Sequence, residues 1–106
     1  MAKDIKEFTD ANFEGEIAKG IVVVDFFASW CGPCRTLAPV LEQVATEVQG
    51  TATIGKVDID HASQIASKFQ ISAVPTLILF KDGKEAGRMV GSQTADSIKN
   101  WIASAK

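Results

Sequence analysis

A chain of 106 residues is long enough to bury one hydrophobic core and too short for two. With 46% apolar and 23% charged residues it has the composition of an ordinary soluble globule, and no apolar run approaches the length of about eighteen residues that a membrane-spanning helix needs. A net charge of −2 with interspersed signs argues against nucleic acid or an anionic membrane as the main partner.

The first residues, Met1-Ala2-Lys3-Asp4-Ile5-Lys6-Glu7, are too charged for a signal peptide. The cytosol is therefore the default compartment, though a mature chain trimmed of a leader reads the same way. Ile5 to Phe8 reads as a short first strand. Thr9 or Asp10 is placed to cap a helix carrying Phe13 and Ile17, which Gly20 stops. Ile21 to Ala28 is too apolar for a half-exposed strand and is expected at the centre of a sheet, covered on both faces. A helical pattern begins at Pro33 and continues through Leu37, Val40, Leu41, Val44 and Val48 to a stop at Gly50, with a kink expected at Pro39.

Thr51 to Ile59 reads as a second inner strand, followed by a short helix through Ile65 and Phe69 that Asp60 is placed to cap. Asp58 and Asp60 are expected in water at the strand end, and His61 on the surface. Thr76 to Phe80 is a strand, and Lys81-Asp82-Gly83-Lys84 is a hairpin turn into a last strand, Glu85 to Val90. Ile98, Trp101, Ile102 and Ala105 mark a C-terminal helix. The order of strands and helices calls for parallel crossovers first and an antiparallel hairpin last. The expected fold is α/β, one domain over 1–106, with a mixed sheet of about five strands and helices on both faces.

The only two cysteines stand in Cys31-Gly32-Pro33-Cys34, where the central strand gives way to a helix. One helical turn separates two Cα atoms by about the 4.4–6.8 Å that a disulfide requires. A helix N-terminus offers free N–H groups and about half a positive charge, which favour a thiolate. Pro33 suits the first turn because its missing N–H costs nothing there. As a structural staple this pair closes so short a loop that it is worth only ~2 kcal/mol. Zinc needs about four Cys or His ligands, and His61 is the only addition to the two thiols. Covalent haem attachment needs a histidine after Cys34, where Arg35 stands. Thiol–disulfide exchange remains, with no metal and no bound cofactor beyond the redox-active cysteine pair. Cys31, at the helix end, is expected to face solvent and attack; Cys34, one turn in, is expected to be more buried and to resolve. Asp25 interrupts an apolar strand. If buried near Cys34, its raised pKa suits it to take that thiol's proton.

The element order, together with Trp30-Cys31-Gly32-Pro33-Cys34, Asp25, Pro75 and Gly91, resembles the thioredoxin family over the whole chain. The chain departs from the commonest pattern at Phe27, where many members carry a second tryptophan, and at Arg35, where lysine is frequent. The resemblance implies a general reductant of protein disulfides that draws its electrons from thioredoxin reductase. The chain carries no Gly-rich dinucleotide fingerprint of its own. It also implies a cis Val74–Pro75 bond opposite the cysteines, with Ala73 and Val74 offering backbone groups to an extended client segment and Val90-Gly91-Ser92 forming the other lip. Trp30, Gly32 and Pro33 complete the client-facing rim, and Lys56 pairs with a buried Asp25. Left open at this point are an oxidase or isomerase on the same fold, and a binding module whose redox chemistry is incidental. A monomer is the expected state.

Overall fold

The computed structural model describes residues 5–106 and orders them as β1 (Ile5–Glu7), α1 (Phe13–Ile17), β2 (Ile21–Phe27), α2 (Gly32–Glu47), β3 (Ala52–Asp58), α3 (Ser63–Lys68), β4 (Thr76–Lys81), β5 (Lys84–Val90) and α4 (Ala95–Ala105). Met1 to Asp4, the start of the expected domain, lie outside the described residues. The strands form one mixed sheet in the order β1-β3-β2-β4-β5. β3 runs parallel to β1 and β2, β4 runs antiparallel to β2, and β5 returns antiparallel to β4. Among the described residues no helix is long and apolar enough to cross a membrane.

Alternation along β2 divides the core in two. Val22, Val24 and Phe26 face α1 and α3, where Phe8, Phe13, Phe26, Phe69 and Phe80 meet with ring centroids 5.3–6.3 Å apart. Val23 faces the opposite layer, built on Leu37, Leu41 and Val44 of α2 and Ile98 and Ile102 of α4. Asp25, two residues on, belongs to this second face. That parity sets the carboxyl of Asp25 under α2, the helix that carries the cysteines.

β3 has a glycine at its middle because the sheet leaves no alternative: a Cβ on Gly55 would overlap the buried ring of Phe8. Gly55→Ala is therefore expected to destabilise the fold by about 1–3 kcal/mol, as other overpacked cores do. A urea midpoint equal to wild type would show that Phe8 yields freely. The β4–β5 turn has both central residues at positive φ, Asp82 at 50° and Gly83 at 87°, as a two-residue hairpin requires. Asp82 also ties this turn to the start of β2: the Gly20 N–H donates to its carboxylate at 2.8 Å, and its own N–H donates to Gly20 O at 2.9 Å.

The helix starts differ from expectation. Asn12, rather than Thr9 or Asp10, stands at the cap of α1, and Asp10 instead accepts from the N–H of Ile65 in α3 at 3.0 Å. Asp60 does not cap α3, which starts from Ala62 without a side-chain cap of its own. The loop before α1 lies against the start of α3, so a carboxylate distant in sequence satisfies an orphan donor there. α2 runs on through Pro39 to Glu47.

Candidate active site

Cys31 is the N-cap of α2, with extended backbone angles (φ −91°, ψ 116°), and Cys34 lies in the first turn. The two are joined as a disulfide with Cα atoms 5.3 Å apart. The N–H of Cys34 donates to the Sγ of Cys31 at 3.1 Å, and Arg35 N–H donates to Cys31 O at 3.3 Å. The helix therefore aims its first free donor at the outer sulfur, which stabilises negative charge there when the bond is reduced.

Cys31 does not face open solvent as expected. Its residue exposure is 5%, against 4% for Cys34, and both pack with Ala28, Phe27, Ile59 and Val74. The cause is distant in sequence: the segment before β4 folds over the disulfide and sets Val74 O 3.8 Å from Cys31 Sγ. What distinguishes the two cysteines is hydrogen bonding and helix position, not exposure.

The Val74–Pro75 bond is cis. The Thr76 hydroxyl donates to Ala73 O at 2.6 Å, and Gly91 N–H donates to Pro75 O at 2.8 Å, which joins the two lips. Gly91 has φ 91°, a conformation that favours glycine, and nothing stands within 4 Å of where a Cβ would be. Its side therefore stays open to an approaching chain. Trp30, next to Cys31, and Val90, paired with Thr76 at the end of β5, are large apolar side chains 65% and 60% exposed. Gly32 and Pro33 are exposed at the start of α2.

Asp25 is 5% exposed, and its Oδ1 is buried with no hydrogen-bond partner among the described residues. It lines a cavity of about 290 Å³ shared with Cys34, Ala38, Phe27, Arg35 and Lys56. Burial pushes its pKa up from 3.8 to about 7, and the positive charge of Lys56 opposes that rise. Lys56 is Asp25's register partner on β3, half-buried, with Nζ 5.7 Å from the centre of the Phe27 ring. Asp25 and Lys56 are thus neighbours across the β2–β3 register and line the same cavity.

Three contacts around the site carried no sequence signal. Trp30 Nε1 donates to Asp60 Oδ2 at 3.0 Å, and Arg35 Nη1 donates to Ser29 O at 3.0 Å. Asp58, expected in water, is 7% exposed, because it ends β3 beside Phe27 and folds its carboxylate onto its own turn. Among the described residues no group of three His, Cys, Asp or Glu is arranged to hold a metal ion.

A disulfide closed across the first turn of a helix, under a cis-proline and beside a buried acid, defines a protein that exchanges dithiols for disulfides. The Thioredoxin family model matches residues 4–104. The chain is 49% identical over 98 residues to a thioredoxin of Chlamydia pneumoniae, covering 92% of this chain and 95% of the relative. It is 45% identical over 98 residues to a thioredoxin of Staphylococcus saprophyticus, covering 92% and 94%. A thioredoxin of Staphylococcus aureus matches at 43% over 94 residues, 89% of this chain and 90% of the relative. The chain belongs to the thioredoxin family, and it is a dithiol–disulfide oxidoreductase that depends on a reductase and acts on disulfide-bearing clients.

Proposed function

We propose that Cys31 is the nucleophile, Cys34 the resolving thiol, and Asp25 the base that serves Cys34, with Lys56 tuning Asp25. The observation that carries the reading is the Cys34 N–H directed at Cys31 Sγ from a helix start, above a cavity that Cys34 and Asp25 share. In the reduced protein the Cys31 thiolate attacks one sulfur of a client disulfide. A mixed disulfide forms and one client thiolate leaves. Cys34 then gives its proton to the Asp25 carboxylate and attacks Cys31 Sγ, releasing the second client thiolate. Two electrons pass to the client, and the Cys31–Cys34 disulfide is the product on the protein's side.

Client segments dock in extended form against the backbone of Ala73, Val74 and Pro75, between the apolar lips of Trp30 and Val90-Gly91, with Gly32 and Pro33 at the rim. The chain works as a monomeric electron carrier of the cytoplasm, one domain over 1–106, with thioredoxin reductase as its donor and neither nucleic acid nor membrane as a partner. A net charge of −2 with interspersed signs supports the exclusion of nucleic acid and anionic membrane as partners.

An insulin-reduction assay coupled to NADPH and a thioredoxin reductase tests the scheme. Turnover is expected only when reductase and protein are both present. Oxidation of NADPH by the protein alone would overturn the carrier reading.

A further inference from the structure

Asp58 is a buried carboxylate that the reaction above does not use. Its Oδ1 accepts from the N–H of Asp60 at 2.9 Å, and its backbone oxygen accepts from the N–H groups of His61 at 3.0 Å and Ala62 at 2.8 Å. His61 Nδ1 lies 3.4 Å from Oδ2 of the same group. One residue thus binds the turn 59–62 at three successive backbone donors and one ring. Ile59, inside that turn, is tied to the end of β2 through its N–H and Phe27 O at 3.0 Å. Asp60 and His61 are the exposed members of the turn, and Oδ2 of Asp60 accepts from the indole N–H of Trp30 at 3.0 Å.

Trp30 is otherwise a free side chain beside Cys31, at 65% exposure. An exposed indole has several rotamers open to it, and each one lost when a client docks costs affinity. The contacts of Asp58 remove that freedom before the client arrives.

We propose that Asp58 is a positioning residue for client docking: it fixes the 59–62 turn so that Asp60 holds the Trp30 indole in place at the rim of the disulfide. The inference rests on the reading of Trp30 as a docking lip. Asp58 touches neither the client nor the sulfurs. Its loss therefore acts on the binding of large clients and leaves the exchange of sulfurs alone.

Single-turnover mixing of the reduced protein with insulin, and separately with 2-hydroxyethyl disulfide, tests this. Trp30 fluorescence anisotropy is followed in a Trp101→Phe background, because Trp30 and Trp101 are the only tryptophans. Asp58→Ala is expected to raise the half-saturating insulin concentration by about fivefold, the effect of one lost hydrogen bond. The limiting rate and the small-disulfide rate stay within about twofold, and Trp30 anisotropy falls. Asp60→Ala gives the same pattern, and Asp58→Asn, which keeps the acceptor for Asp60, restores it. In a Trp30→Phe protein, which has no indole N–H, Asp58→Ala has no further effect.

Asp58→Ala with wild-type half-saturation and anisotropy overturns the inference. So does an equal slowing of both substrates that persists in the Trp30→Phe background. Should Asp58→Ala fail to fold, Asp58→Ser is judged by the same criteria. If Trp30→Ala binds insulin like wild type, the docking role and this inference fall together. If Trp30→Ala weakens binding and Asp58→Ala does not, this inference falls alone.

Discussion

Cys31→Ser is expected to abolish reduction of protein disulfides, because no other thiolate is placed to form the mixed disulfide. Cys34→Ser is expected to attack at close to the wild-type rate and then stall, still covalently bound to its client. The asymmetry stands on position. Cys31 caps α2 and receives the N–H of Cys34, whereas Cys34 lies in the first turn over the cavity of Asp25. Near-equal burial of the two residues means that exposure alone does not separate them. Mass spectrometry of complexes formed from reduced protein and a disulfide client decides the matter. Clients trapped on Cys31→Ser and not on Cys34→Ser would exchange the two roles.

Asp25 carries the second large effect, and it acts on stability and rate in opposite directions. Its pKa is about 7 in the folded protein and 3.8 in the reference state, so the native form holds the proton more tightly than the unfolded one. Well below the reference pKa of 3.8 the group is neutral in both states and costs nothing. As pH rises towards 7 the unfolded chain ionises first, and folding is progressively penalised; above the folded pKa the penalty is complete. At about 1.4 kcal/mol per pH unit it reaches on the order of 4 kcal/mol. Asp25→Asn is therefore expected to match wild type well below that reference pKa and to be the more stable protein at pH 8. The gain falls short of the full figure, since the amide is a polar group placed where Oδ1 of the aspartate is buried with no hydrogen-bond partner among the described residues. Denaturant titrations across this pH range measure it. The same variant is expected to resolve the mixed disulfide more slowly and to lose the rise in rate centred near pH 7. An Asp25→Ala protein that is less stable at pH 7, or as fast as wild type, would make the aspartate structural.

The parts legible in the sequence are those governed by neighbours along the chain. The apolar run of β2, the heptad-like spacing of α2 and the Asp82-Gly83 turn each state their element locally, and the helix start at Pro33 identifies the chemistry of the cysteines. Their outer ends differ from expectation by a residue or so, as fraying ends do. What was not legible depends on residues far apart in sequence. Cys31 is covered by Val74, Trp30 is held by Asp60, and the start of α3 is served by Asp10. Asp58 and Asp60 read as solvated at the strand end; only the pairing of β2 with β3 shows that Asp58 is folded inward. Lys56 and Asp25 lie between these cases. Each is odd for its strand, but their adjacency is a matter of register.

The two outer strands bear on a hazard common to every open sheet. Any strand edge left free can recruit a neighbouring chain. Among the described residues β1 has three residues, with Lys6 and Glu7 exposed. β5 is longer, but Lys84, Glu85 and Arg88 stand exposed along it, and its pairing with β4 slips at Leu79/Phe80. Charge and irregularity discourage edge-to-edge stacking. The sheet is thereby expected to stop at its five strands rather than grow by adding a neighbour's.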